Sequence, residues 1–279
     1  MPSPQRDYLS LLLDHYWFAP PVALWRAVEL RVLATEPFPR PILDLGCGDG
    51  LIAEVLFAGE APLETGFDPW WAQLRKSAAS TMYGNVQQAY GNAMPYPDAA
   101  FACVFSNSVL EHIPDLPPVL REAQRVLRPG GRFITTVPSD AFRHLLAGYR
   151  KRISVGDEAG AEAYASSVDR KLEHYRYPTP DAWADLLKEA GLRLLYTRYY
   201  IPAPVAAIWD TANVTYGITE GSSPFFRWLA SPKLKALGYQ RWVRCQVVRL
   251  LSREWRSAYE MDVPEDGVGA GLLVVGEKA

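Results

Sequence analysis

The sequence predicts an α/β fold built on a mostly parallel sheet, and three observations predict it. Residues 42–45 read Ile-Leu-Asp-Leu, the short apolar run of a strand buried on both faces. Gly46, Gly48 and Gly50 follow at once, and Leu51, Ile52, Ala53, Val55 and Leu56 then suit a helix. Phe101 to Ser106 is a second apolar run, followed by an amphipathic stretch at 117–127 and a third run at 132–137.

Composition bounds the rest. The 279 residues suit one large domain with insertions, and 49% apolar content is ample for a core. A net charge of −2 argues against binding nucleic acid with the whole surface. Cys47, Cys103 and Cys245 lie far apart, which suggests a reducing compartment and a cytoplasmic protein. Leu11 to Leu13 is too short for a signal peptide, and Ile201 to Trp209 is too short to span a membrane.

In chain order, residues 1–40 form a helical arm, with helical periodicity over Arg6–Phe18 and Val22–Thr35 and a break at Pro20 and Pro21. Residues 41–138 are the ligand-binding core. Its second strand runs near Glu64–Phe67 and ends at Asp68. Its fifth strand, Arg132–Val137, follows a helix that Gly130 and Gly131 stop. Residues 139–178 break the alternation with a basic, mobile-looking stretch on the ligand side of the sheet, where it can act as a lid. The core resumes at 179–200 with a helix started by Thr179 and a strand from Leu192 to Tyr200. A helical cap insertion spans 201–267, and the last core strand lies in 268–279.

Within the cap, Ser222 to Arg256 is strongly basic, with Glu254 as its one acid. Tyr239 to Arg256 plots as an amphipathic helix. Val243, Val247, Val248, Leu250, Leu251 and Trp255 lie on one side, and Arg241, Arg249, Arg253 and Arg256 on the other, with Arg244 intruding on the apolar side. One reading is peripheral contact with the inner membrane surface or with an anionic lipid-linked substrate; the other is a pocket cap whose arginines face water.

The turn after the first strand carries the chemistry. Its glycines let a ligand approach the backbone. The spacing is not that of a dinucleotide fingerprint, because position 51 is Leu, and no Gly-Lys-Ser/Thr phosphate loop follows. Asp44 and Asp49 would repel a diphosphate and suit a cation. Asp68, 22 residues after Gly46, stands where an acid accepts hydrogen bonds from both ribose hydroxyls.

The stretch Asp44-Leu45-Gly46-Cys47-Gly48-Asp49-Gly50 resembles the first motif of class I S-adenosylmethionine-dependent methyltransferases. Gly91 to Phe101, Asn107 to Asp115 and Leu127-Arg128-Pro129-Gly130-Gly131-Arg132-Phe133 extend the likeness to the small-molecule, ubiquinone- and menaquinone-methylating type. The resemblance implies a Rossmann-like fold with a seven-stranded sheet, mostly parallel with an antiparallel last strand, plus the helical arm and the two helical insertions. It implies S-adenosylmethionine as cofactor and S-adenosylhomocysteine as product. It places Asp44, Gly46, Cys47, Gly48, Gly50, Asp68, Pro69, Asn92, Ala93, Met94, Asn107 and Ser108 at the cofactor. The family often has Asp where Asn92 stands. An Asn-Pro-Pro-Tyr motif, typical of enzymes that methylate amino groups of DNA bases and protein glutamine, is absent.

Residues just past the fourth strand sit where ligands bind in open α/β sheets. His112 is therefore the leading general base for an acceptor hydroxyl, with His174 as second candidate and Glu111 to orient a histidine or to pair with a substrate cation. Tyr16 and Trp17 in the arm, and Tyr175 and Tyr177 before the resumed core, are candidate acceptor contacts. His15, His112, His144 and His174 show no metal-ligand spacing, so no metal site is expected. The acceptor reads as a small molecule or a lipid- or glycan-linked one. Two other readings stand beside this one: a cofactor-binding or membrane-peripheral protein without methyl transfer, and an NAD(P)-dependent oxidoreductase, which the glycine spacing disfavours.

Overall fold

The computed structural model describes residues 6–216 and 238–279. The first part of the basic stretch, 222–237, lies outside them. The chain divides into two units. The first draws on Met1–Leu33, Ala141–Leu172 and Tyr200–Ala270, and the second on Ala34–Asp140, Glu173–Tyr199 and Gly271–Ala279.

The second unit holds a seven-stranded sheet. Its strands are β1 (Ile42–Leu45), β2 (Thr65–Asp68), β3 (Val86–Gln88), β4 (Phe101–Asn107), β5 (Leu127–Pro138), β6 (Leu192–Tyr200) and β7 (Gly271–Lys278). The order is β3-β2-β1-β4-β5-β7-β6, with β7 antiparallel to β5 and the pairs from β3 to β5 parallel. β1 is buried along its whole length, as its apolar run requires. Helices α3 (Leu51–Leu56), α4 (Trp71–Ala79), α5 (Leu116–Val126) and α9 (Pro180–Glu189) accompany the strands. Val119, Leu120, Ala123 and Val126 of α5 pack with Val104, Phe133, Trp183 and Leu187 in one core.

The α5–β5 junction differs from the sequence reading. α5 ends at Val126, before Pro129, and Gly130 and Gly131 belong to the irregular start of β5. The register there shifts between Phe101 and Cys103, so a bulge rather than a glycine stop absorbs the turn. At the other end of the core, Thr179 caps α9 as expected, its Oγ1 accepting the Ala182 amide at 3.2 Å.

The first unit is helical: α1 (Tyr8–His15), α2 (Pro20–Leu33), α6 (Phe142–Leu145), α7 (Ala147–Ile153), α8 (Glu158–Leu172), α10 (Ala203–Tyr216), α11 (Tyr239–Glu254) and α12 (Arg256–Glu260). Pro20 and Pro21 open α2 rather than merely separating two helices; the first turn needs no amide donor there. Trp25, Phe142 and Trp209 meet with ring centroids 5.4–5.8 Å apart. Glu29 is fully buried, and accepts from Tyr200 Oη at 2.7 Å and from Arg26 at 2.6 Å. The expected helical insertion at 139–178 holds three helices, and only Glu173 onward joins the sheet unit. Ala161 and Ala165 bury a small-residue face of α8, which the charge of its other face masks in the sequence.

Candidate functional site

The site is built at the carboxyl ends of β1, β2 and β4. After Leu45 the chain turns through Gly46, Gly48 and Gly50, all with positive φ. Two of these positions leave little or no room for a side chain. A Cβ on Gly46 would stand 2.6 Å from Val109, and one on Gly50 would stand 3.2 Å from the Tyr83 ring. The amides of Gly46 and Cys47 donate to the Phe67 carbonyl at 2.9 and 3.0 Å, which ties the turn to the end of β2. Ser77 Oγ donates to the Gly48 carbonyl at 2.6 Å.

Asp68 closes the turn. One oxygen accepts the Gly48 amide at 3.1 Å and the other the Trp70 amide at 2.8 Å. Each carboxylate oxygen keeps a second lone pair for a ligand hydroxyl. Burial raises the Asp68 pKa, and the two amides oppose that rise. Pro69 follows, its carbonyl accepting from Gln88 at 2.9 Å.

Asp44 is the charged residue inside β1. Burial pushes its pKa up to about 7; the Tyr83 hydroxyl opposes this, donating at 2.6 Å, and the charge of Asp68 adds to it. Tyr83 is a residue that sequence reasoning missed. It lies between α4 and β3, outside any motif, and its ring also stands 2.8 Å from where a Cβ on Gly66 would be. Asp49 faces Lys76 at 3.8 Å. Cys47 is buried, and burial raises its pKa, so it is an inert wall rather than a nucleophile.

Asn92 and Ala93 are exposed on the loop after β3, whereas the Met94 side chain belongs to the core at 4% exposure. The loop is clamped from α5. Arg125 donates to the carbonyls of Met94 and Tyr96 and to Asp98, and Glu122 accepts the Met94 amide at 2.7 Å. Asn107 ends β4, with its amide group donating to Thr136 Oγ1 at 2.7 Å. Ser108 adopts φ 48°, a strained conformation that turns the chain so that Val109 meets Gly46.

A short 3₁₀ turn, Leu110–His112, comes next. Glu111 is buried, and its Oε1 lies 3.8 Å from His112 Nε2. Residues 173–177 are stitched to this turn. The Tyr175 amide donates to the Glu111 carbonyl at 2.9 Å, Arg176 donates to the Pro114 carbonyl, and His112 Nδ1 lies 3.2 Å from the Glu173 carbonyl. A carbonyl only accepts, so Nδ1 carries the proton and Nε2 the lone pair in the neutral ring. His174 meets His112 ring to ring at 5.0 Å, and its Nδ1 lies 3.0 Å from Tyr177 Oη. Tyr175 is exposed.

The fold therefore gathers Glu111, His112, His174 and Tyr177, separated by about sixty residues of chain that hide the grouping from the sequence. Among the described residues, one ligand atom from each of Glu111, His112 and His174 lies within 4.8 Å of the other two, a metal-competent grouping that histidine spacing did not signal. Tyr16 and Trp17 belong to the first unit, where Tyr16 contacts His15 and Phe18, and Trp17 contacts Phe18.

Known proteins are similar to this chain in sequence and in architecture. A family model described as a methyltransferase domain matches residues 18–197. The ubiquinone/menaquinone biosynthesis C-methyltransferase of Methylobacterium nodulans is 30% identical over 58% of this chain and 68% of its own length. The 2-phytyl-1,4-naphtoquinone methyltransferase of Synechococcus elongatus is 34% identical over 39% of this chain. The chain spans about half the length of the first curated relatives it matches, 50% in that case. Among solved structures, a geranyl diphosphate methyltransferase in complex with SAM superposes with a TM-score of 0.55 at 12% identity, over 93% of this chain and 90% of that one. A SAM-dependent methyltransferase of Thermotoga maritima gives 0.53 at 14% identity, over 97% and 100%. With the strand order, the acidic glycine turn and the family match in agreement, the chain belongs to the class I S-adenosylmethionine-dependent methyltransferase family.

Proposed function

We propose that this protein transfers the methyl group of S-adenosylmethionine to an oxygen, nitrogen or carbon of a small molecule. One observation carries the reading. The turn at the end of β1 is closed by a carboxylate, Asp68, and underlain by another, Asp44, with no cationic side chain facing either in the described contacts. Such a turn favours a sulfonium and an ammonium over a phosphate. Asp68 takes the ribose hydroxyls, Gly46 to Gly50 let the donor lie against backbone, and Asn92 and Ala93 border its base. Met94, buried in the core, supports that loop from beneath.

Transfer is an in-line displacement at the methyl carbon, so alignment and exclusion of water do most of the work. An acceptor hydroxyl also gives up a proton. The His112 Nε2 lone pair takes it, Glu111 steadies the imidazolium, and the Glu173 carbonyl fixes the tautomer. His174 and Tyr177 border the same turn and serve as acceptor contacts.

A bulky or lipid-linked acceptor is a second reading, and α11 favours it. Trp242 and Leu250 are 67% and 58% exposed, as Arg249 and Arg253 are exposed, so Leu250 departs from the covered apolar side expected of it. Exposed apolar groups between arginines suit the headgroup region of an anionic membrane. Among the described residues no helix is long and apolar enough to cross a membrane.

Calorimetric titration tests the main reading. A micromolar response to S-adenosylmethionine and none to NADH is expected; the reverse pattern overturns it. A screen of small hydroxylated acceptors with tritiated donor then reads methyl release.

A further inference from the structure

We infer that Glu111, His112 and His174 form a binding site for a divalent first-row metal ion at the acceptor end of the sheet. The three ligand atoms lie within 4.8 Å of one another. Around a zinc- or manganese-sized ion with bonds of ~2.0–2.2 Å, such atoms sit roughly 3.0–3.5 Å apart. Small torsions of the two imidazoles close that difference. Two histidines and one carboxylate are the donor set of open, reactive sites, which keep coordination positions for a substrate.

The surroundings match what ligation requires. The Glu173 carbonyl holds the proton on His112 Nδ1 and so presents the Nε2 lone pair, which already lies 3.8 Å from Glu111 Oε1. A ligating histidine is oriented in this way by a carbonyl on its other nitrogen. Tyr177 Oη occupies the same place on His174 Nδ1, at 3.0 Å. Glu111 is 3% exposed, so an ion on its carboxylate would sit shielded from water. The backbone hydrogen bond from Tyr175 to Glu111 joins the segment carrying the third ligand to the turn carrying the first two.

The inference rests on the methyl-transfer reading for its consequence. With an ion bound, His112 is a ligand and no longer the base. An acceptor hydroxyl on the open position then loses its proton to water. Its oxygen lone pair forms the new bond to the methyl carbon as the carbon–sulfur bond breaks, and the bonding pair leaves on sulfur. The products are the methyl ether, S-adenosylhomocysteine and one solvated proton.

The test uses the full chain, stripped with EDTA and desalted, and Mn²⁺ alone as probe. Loss of the free Mn²⁺ paramagnetic resonance signal should give one ion per chain, and Mn²⁺ should raise the melting temperature. His112→Ala and His174→Ala should each weaken binding by about ten-fold or more and abolish the Mn²⁺-dependent rise. Reading that rise against each variant's own metal-free baseline separates ligation from folding. Absence of binding to the wild type, or equal binding by both variants, overturns the site. S-adenosylmethionine is titrated into the same samples. Donor binding without ion binding overturns this inference alone, and ion binding without donor binding overturns the methyl-donor reading alone.

Discussion

Asp44 ionises near 3.8 in an unfolded chain and at about 7 in the folded one. Between those values the folded protein holds the extra proton, so Asp44 makes stability fall as pH rises from about 4 to about 7, with no further change above. A cationic cofactor prefers the ionised form. S-adenosylmethionine affinity should therefore rise from pH 6 to 8 and level off, while Asp44→Asn should lose that dependence; titration calorimetry at three pH values reads both. Tyr83→Phe removes the donor that steadies the ionised carboxylate. It should shift the rise to higher pH and cost about 1–3 kcal/mol of stability at neutral pH. Asp68→Ala should weaken cofactor binding by about 1–3 kcal/mol through lost charge-assisted bonds, and an unchanged dissociation constant would remove Asp68 from the ribose role. Asp44 and Asp68 were legible because an acid inside or just after an apolar strand needs a reason. Tyr83 was not, since nothing local marks a tyrosine that reaches a carboxylate thirty-nine positions earlier.

The elements nearest the cofactor turn were legible for the same local reasons: the β1 apolar run, the glycines and the α5 periodicity all fall within short windows. β3 escaped because Val86–Gln88 is three residues long and half-exposed, too short for alternation to register. A helical insertion was expected at 139–178, but the separate helices α6 to α8 were not delimited, because the alanines that bury α8 are silent in a charge reading. The loop from Gly91 to Asp98 has no regular structure, and its shape comes from the Arg125–Glu122 clamp. Arg125→Ala should lower stability by about 2 kcal/mol in urea unfolding and weaken cofactor binding in parallel. Gly66→Ala forces a methyl within 2.8 Å of Tyr83 and 3.0 Å of the Cys47 Cβ, and should cost about 1–3 kcal/mol. A normal melting curve would show that Tyr83 yields easily.

Across the whole molecule, the chain leaves the sheet unit and returns to it twice. Sequence windows report neighbours in the chain, so the break points are readable there, but not which of the interrupting segments pack together in one unit. The arginines of α11 illustrate the limit. Arg244 pairs with Asp14, and Arg256, at the start of α12, pairs with Asp7, so both reach back to the arm while staying partly exposed. Arg249 and Arg253 remain exposed beside Trp242 and Leu250. If α11 meets a membrane, Arg249→Glu with Arg253→Glu should abolish flotation with anionic vesicles, at about 1 kcal/mol per arginine removed. Flotation equal to that of the unaltered protein would leave α11 as a solvated helix. Arg256→Glu should instead unsettle the arm, because it sets two carboxylates against each other.

The Tyr175 amide donates to the Glu111 carbonyl, so a single backbone proton reports on the join between the 3₁₀ turn and the segment that follows α8. In deuterated buffer its replacement requires that join to open. Anything that draws His174 towards Glu111, whether an ion or an acceptor seated between them, should slow that one exchange event. Isotope labelling of this position thus offers a way to screen candidate acceptors before any product can be identified.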